Sequence, residues 1–99
     1  MKESIIKDKT KSFALRIIKL YKYLTLVSDM KEYVMSKQIL RCGTSIGANV
    51  KEASETEYWL ELLHESDYIS EEQFQSIIAD NIEIIKILTS IVKNSDNNI

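Results

Sequence analysis

The sequence predicts an all-α protein, an up-and-down helical bundle, and three observations carry that prediction. Only two glycines and no proline punctuate the 99 residues, too few breakers for a strand-and-turn fold. Apolar residues recur at alternating steps of three and four over long stretches, the period of one helix face. Turn-forming residues gather at only a few places between those stretches. Three helices are predicted, at about residues 3–28, 33–65 and 71–93, in one domain over residues 1–99 with a frayed tail at 94–99.

The first helix has a clear seam: Ile6, Thr10, Phe13, Ile17, Leu20, Leu24 and Val27, with Thr10 its only polar member. Lys7, Lys11 and Lys22 fall nearly opposite that seam, with Lys19 beside them and Arg16 on the flank. Ser28-Asp29-Met30-Lys31 ends the helix, and Asp29 is placed to cap the start of the second one.

The second helix is the unusual one. Ile39, Ile46, Ala53 and Leu60 fall seven apart, so the apolar row keeps its phase throughout. VKEASETE, after Asn49, consists mostly of good helix formers and contains no turn dipeptide. These features predict a single helix over 33–65, roughly 50 Å long at about 1.5 Å per residue. Gly43, Gly47 and Ala48 put small residues on it. Small residues cost helix stability unless they let backbones approach closely, and no strand precedes them to make a phosphate loop. The expected packing and interface residues are therefore Gly43, Ile46, Gly47, Val50, Ala53, Trp59 and Leu60, with Ser45 and Asn49 placed to bond across the crossing.

Ser66 to Ser70 form the next break. Ser70-Glu71-Glu72-Gln73 reads as a capping box with acids in the first turn of the third helix. Phe74, Ile77, Ile78, Asn81, Ile84, Ile85, Leu88, Ile91 and Val92 then cover nearly half its circumference, a face wide enough for more than one neighbour.

Net charge is −2, but the two halves of the chain differ sharply. Residues 1–50 carry ten basic side chains against four acidic ones, and residues 51–99 carry three against eleven. Such a division suits packing of the halves against each other, within a chain or between copies, or leaves a basic face for a polyanion. Lys7, Lys11, Lys19, Lys22, Lys37 and Arg41 are the candidate contacts to an RNA or DNA backbone.

Chemistry finds little support. The single Cys42 forms no internal disulfide, and one thiol with one histidine builds no zinc site. Glu61-Leu62-Leu63-His64 has the E-x-x-H spacing of di-iron bundles, but those sites need carboxylates from further helices, and Glu57 is the only one at hand. Tyr58 and Trp59, beside Leu60, Leu62 and Leu63, read as core or interface residues rather than base-stacking platforms. The protein is expected to be non-enzymatic, without cofactor or metal. With no run of about 18 apolar residues and no signal-peptide pattern, it is also expected to be cytoplasmic, with no membrane partner.

SKQILRCGTSIGANVKEA and ETEYWLELL resemble the two signature segments of the bacterial four-helix-bundle proteins encoded in intervening sequences of 23S ribosomal RNA genes. The resemblance extends over nearly the whole chain: FALRIIKLYKYL is similar to that family's first helix, YVMSKQILRCGTSIGANV to its second, KEASETEYWLELL to the end of its third, and IIKILTSIV to its last. It implies an up-and-down bundle, commonly a ring of five, with no known enzymatic activity, and a related branch that binds nucleic acid as retroelement accessory proteins. This chain departs from the pattern after Val50-Lys51-Glu52-Ala53, where members normally insert on the order of twenty residues of mostly helical rise. With the two segments fused, the hairpin between helices two and three is expected not to form. The expected assembly is then a homodimer of antiparallel long helices, open to domain swapping, rather than the ring.

Overall fold

The computed structural model describes residues 2–29 and 31–97 and the side chains of 5–29 and 31–93. It contains four α-helices: α1 over Lys2–Lys22, α2 over Val34–Thr44, α3 over Val50–Glu65 and α4 over Glu71–Asn97. A π-helical turn, Tyr23–Val27, extends α1. No described residue lies in a strand.

Each helix packs on its neighbour in sequence, and α4 closes the square against α1. Contacts fix the directions. Ile17 meets Gly43 while Thr10 meets Gly47, so α1 and α2 run antiparallel. Arg41 reaches Glu55, Asn81 reaches Ala53, and Lys9 pairs with Glu83 while Arg16 pairs with Asp80. The bundle is therefore up-down-up-down. The core along its axis holds Phe13, Ile17 and Leu24 from α1, Ile39 from α2, Ala53, Leu60 and Leu63 from α3, and Ile77, Ile78, Ile84 and Leu88 from α4.

The expected continuous helix over 33–65 is not formed. α2 stops at Thr44, the chain turns through 45–49, and α3 starts at Val50. Asn49 explains the break. Its backbone is extended (φ −172°, ψ 172°), and its Oδ1 accepts from the Glu52 amide at 3.0 Å, so it caps α3 rather than continuing α2. The Ser45 carbonyl accepts from the Ala48 amide at 2.9 Å within the turn, and Thr44 Oγ1 donates back to the Leu40 carbonyl at 2.6 Å. Ile39 on α2, Ile46 in the turn, and Ala53 and Leu60 on α3 are all fully buried. The hairpin thus exists within one chain, and an antiparallel dimer of long helices loses its premise.

Two further differences are local. Val27, expected on the α1 seam, is 70% exposed. The i→i+5 bonding of the π turn winds fewer degrees per residue than an α-helix and carries Val27 off the core side. Glu32, one residue before the N-cap Tyr33, rather than Asp29, satisfies the first amides of α2. Its buried carboxylate accepts from the amides of Met35 and Ser36 and from Ser36 Oγ at 2.7–2.9 Å. The Ser70–Gln73 box forms in both directions, with the Gln73 amide donating to Ser70 Oγ at 3.1 Å and the Ser70 amide to Gln73 Oε1 at 2.8 Å. α4 continues four residues past the expected end at Lys93, while residues 98 and 99 of the expected tail lie outside the described residues.

Helix lengths shape the molecule. α2 and α3 have 11 and 16 residues against 27 in α4, so α4 and the start of α1 project beyond the α2–α3 turn. The envelope measures 51 × 22 × 21 Å. Its accessible surface is 6347 Å², where a compact monomer of this mass exposes about 5,800 Å².

Candidate functional site

The outward faces of the bundle are where the sequence-expected functional residues lie. On α1 the core-facing seam forces the opposite strip outward, and Lys7, Lys11, Lys19 and Lys22 are all exposed along it. None of the four makes an ion pair among the described residues, whereas Lys9 and Arg16 on the α4 side are paired with Glu83 and Asp80. Arg16 also donates to Ser76 Oγ at 2.9 Å. Lys7 and Lys11 line a shallow cleft of about 460 Å³ with Thr10, Ala14, Thr44 and Ser45. Leu15, between the lysines, is 54% exposed.

The α2 candidates differ from one another. Lys37 is exposed. Arg41 is held across the hairpin by Glu55 at 2.9 Å and lies 3.7 Å from Glu52, so its charge is largely answered within the chain. The division into basic and acidic halves is used for packing: α1 on α4 and α2 on α3 each join a basic helix to an acidic one.

The small residues sit at the α1–α2 crossing. A Cβ on Gly43 would lie 2.8 Å from Ile17 Cγ1, and one on Gly47 would lie 3.2 Å from Thr10 Cγ2. Ile46, Ala53 and Leu60 are fully buried, while Val50 and Trp59 are half-buried against the core. Trp59 meets Tyr58 edge to face, with ring centroids 5.3 Å apart.

Groups with chemical potential are quiet. Burial pushes the Cys42 thiol up, outweighing the hydrogen bond to Thr56, which leaves it protonated and packed. His64 Nε2 lies 2.5 Å from Glu71 Oε2, and its ring stacks on Phe74 at 4.3 Å, so it joins α3 to α4. Among the described residues no group of three or more His, Cys, Asp or Glu is placed to hold a metal ion, and no described helix is long and apolar enough to cross a membrane. Sequence reasoning missed Glu32, whose burial gave no periodic signal, and the exposed apolar positions Val34, Leu26 and Val27 beside the α1–α2 turn.

The geometry defines a class: an up-and-down four-helix bundle whose distinguishing features are outward faces rather than an internal pocket. Compared with known proteins, the chain matches no family model and no curated protein. It does match a solved structure, a protein with unknown function of the S23 ribosomal protein family from Bacteroides thetaiotaomicron VPI-5482. Identity is 50%, the match covers 94% of this chain and 99% of that one, and the TM-score is 0.87. The chain belongs to the S23 ribosomal protein family.

Proposed function

We propose that this protein is a non-enzymatic helical bundle that works by assembling with copies of itself, as a member of the group encoded in 23S ribosomal RNA intervening sequences. One observation carries the reading: large apolar side chains stand outward on every helix, among them Ile5, Leu15, Val34, Tyr58 and Val92. Exposed apolar side chains mark contacts with other chains where they gather rather than stand singly, as Leu26, Val27, Tyr33 and Val34 do at the α1–α2 turn. The short hairpin fits the absence, after Val50-Lys51-Glu52-Ala53, of about twenty residues of mostly helical rise, with the chain turning instead at 45–49. That absence leaves more of α1 and α4 uncovered. Sedimentation velocity at tens of micromolar tests the reading; an assembled species supports it, and a monomer across the accessible concentration range overturns it.

A second reading is favoured by the unpaired lysines of α1. In it, Lys7, Lys11, Lys19 and Lys22 grip the phosphates of RNA or DNA without reading sequence. Charge reversal at Lys11, Lys19 and Lys22 would then abolish a salt-sensitive gel shift. No shift by the wild-type protein at low salt sinks this reading.

A further inference from the structure

We propose that the furrow between α1 and α2 is the track of a single-stranded nucleic acid, with Lys7, Lys11, Lys22 and Lys37 on its phosphates and Tyr33 against a base. The proposal rests on the nucleic-acid reading and refines it: Lys37 joins the contacts and Lys19 leaves them.

The packing of α1 against α2 sorts the lysines. At one end of the furrow Lys7, Lys11 and Ala14 face Thr44 and Ser45 across the shallow cleft. At the other end Tyr33 Oη donates to the Thr25 carbonyl at 3.3 Å. That contact sets Lys22, three residues before Thr25 on α1, near Lys37, one turn after Tyr33 on α2. Tyr33, Lys37, Leu40 and Thr44 form one stripe of α2 at steps of four, three and four, so both ends belong to the same furrow. Lys19 stands on the other side of α1, where it lines a separate groove with Arg16, Leu20 and Glu72. From Lys7 to Lys22 the track is about 22 Å long. It holds about four nucleotides, the small end of single-strand site sizes.

Charge selects one strand rather than two. Lys7, Lys11, Lys22 and Lys37 are all exposed, and none has an ion-pair partner among the described residues. α2 contains no acid. Acids bound the furrow on both sides: Asp8 of α1 lines a cleft toward α4 with Asp80 and Glu83, and α3, beyond α2, carries five glutamates. Arg41, on the α3 side of α2, is already taken by Glu55. Asp29, exposed in the turn past Lys22, ends the track. One strand laid along the furrow therefore meets cations only. A duplex with one strand in the furrow would carry the other across a groove about 6–12 Å wide, over one of the acidic margins, where its phosphates are repelled. Its bases, stacked on each other, would also leave the half-exposed Tyr33 ring without a base face.

The test is fluorescence anisotropy of the full chain with labelled oligouridylate and oligothymidylate of about 12 nucleotides and a duplex of equal length, from about 20 to 200 mM salt. Circular dichroism verifies that each variant is folded. Wild type is expected to bind a single strand at least roughly tenfold more tightly than the duplex, with a log–log salt slope of about −3. Lys7→Gln, Lys11→Gln, Lys22→Gln and Lys37→Gln are each expected to weaken binding about threefold and to flatten that slope by about 0.7, while Lys19→Gln changes neither. Tyr33→Leu is expected to weaken binding about fivefold and Tyr33→Phe to leave it unchanged. Failure of the wild type to bind any of these nucleic acids at the lowest salt overturns this proposal together with the nucleic-acid reading. Equal affinity for the duplex, a silent Lys37→Gln or Tyr33→Leu, or a Lys19→Gln as costly as Lys11→Gln overturns the furrow as a single-strand track and leaves phosphate binding standing on another face.

Discussion

Gly43 shows how one missing side chain positions two helices. Alanine would favour an isolated helix by about 1 kcal/mol, yet its Cβ would come within 3.0 Å of both Cγ atoms of Ile17, a fully buried, β-branched side chain with little freedom to move. Overpacking of this kind costs about 1–3 kcal/mol. Gly43→Ala is therefore expected to lower stability in urea denaturation, and to cost less in an Ile17→Ala background, where both Cγ atoms are gone. An equal cost in the two backgrounds would place it elsewhere. Glu32 makes a second residue-scale prediction. Burial raises its pKa, but the hydrogen bonds from Met35, Ser36 and Val34 together outweigh burial and hold it below the ordinary 4.5. A depressed folded pKa contributes stability that is present above the unfolded value and lost as pH falls through the folded one. Melting temperature should thus decline below about pH 4.5, and Glu32→Gln should flatten the part of that decline due to this group. Glu71, lowered first by Gln75 and next by His64 against the opposing effect of burial, acts in the same direction from the surface, so some decline is expected to persist in Glu32→Gln.

At the scale of elements, the sequence disclosed the helices whose ends carry strong signals and concealed the one break that shapes the fold. α1 follows from its seam, and α4 from the Ser70–Gln73 box with its wide apolar face. The break between α2 and α3 was hidden for two physical reasons. The row Ile39, Ile46, Ala53, Leu60 is buried in a hairpin as it would be in one long helix, so seven-residue phase does not separate the two. Helix propensity in VKEASETE is equally silent, because it describes α3 correctly and says nothing about where α3 begins. The informative signal was Asn49 three residues before Glu52, a capping pattern, supported by two weak helix formers at Gly43 and Gly47. The lysine face was legible from periodicity alone, whereas its cleft against Thr44 and Ser45 required knowing that the chain turns. Asn49→Ala should cost about 1 kcal/mol of stability and Asn49→Asp little, measured by chemical denaturation. If both substitutions are silent, the turn is held by core packing and the cap is incidental.

On the scale of the whole molecule, the self-assembly proposed above would couple the folding of this elongated bundle to association. Ion pairs exposed on both sides, such as Arg16 with Asp80 and Lys9 with Glu83, add little by themselves. The marginal stability of about 100 residues leaves room for a second copy to matter. A partner that binds only the folded state raises the melting temperature by mass action. Between about 1 and 100 µM protein, wild type should therefore melt roughly 5 °C higher at the upper end. The rise should shrink in high salt, because charges at the rim of the interface are screened within about 10 Å at 0.1 M. A wild-type melting temperature independent of concentration would mean that the four helices are stable alone and that the outward apolar positions serve another kind of partner.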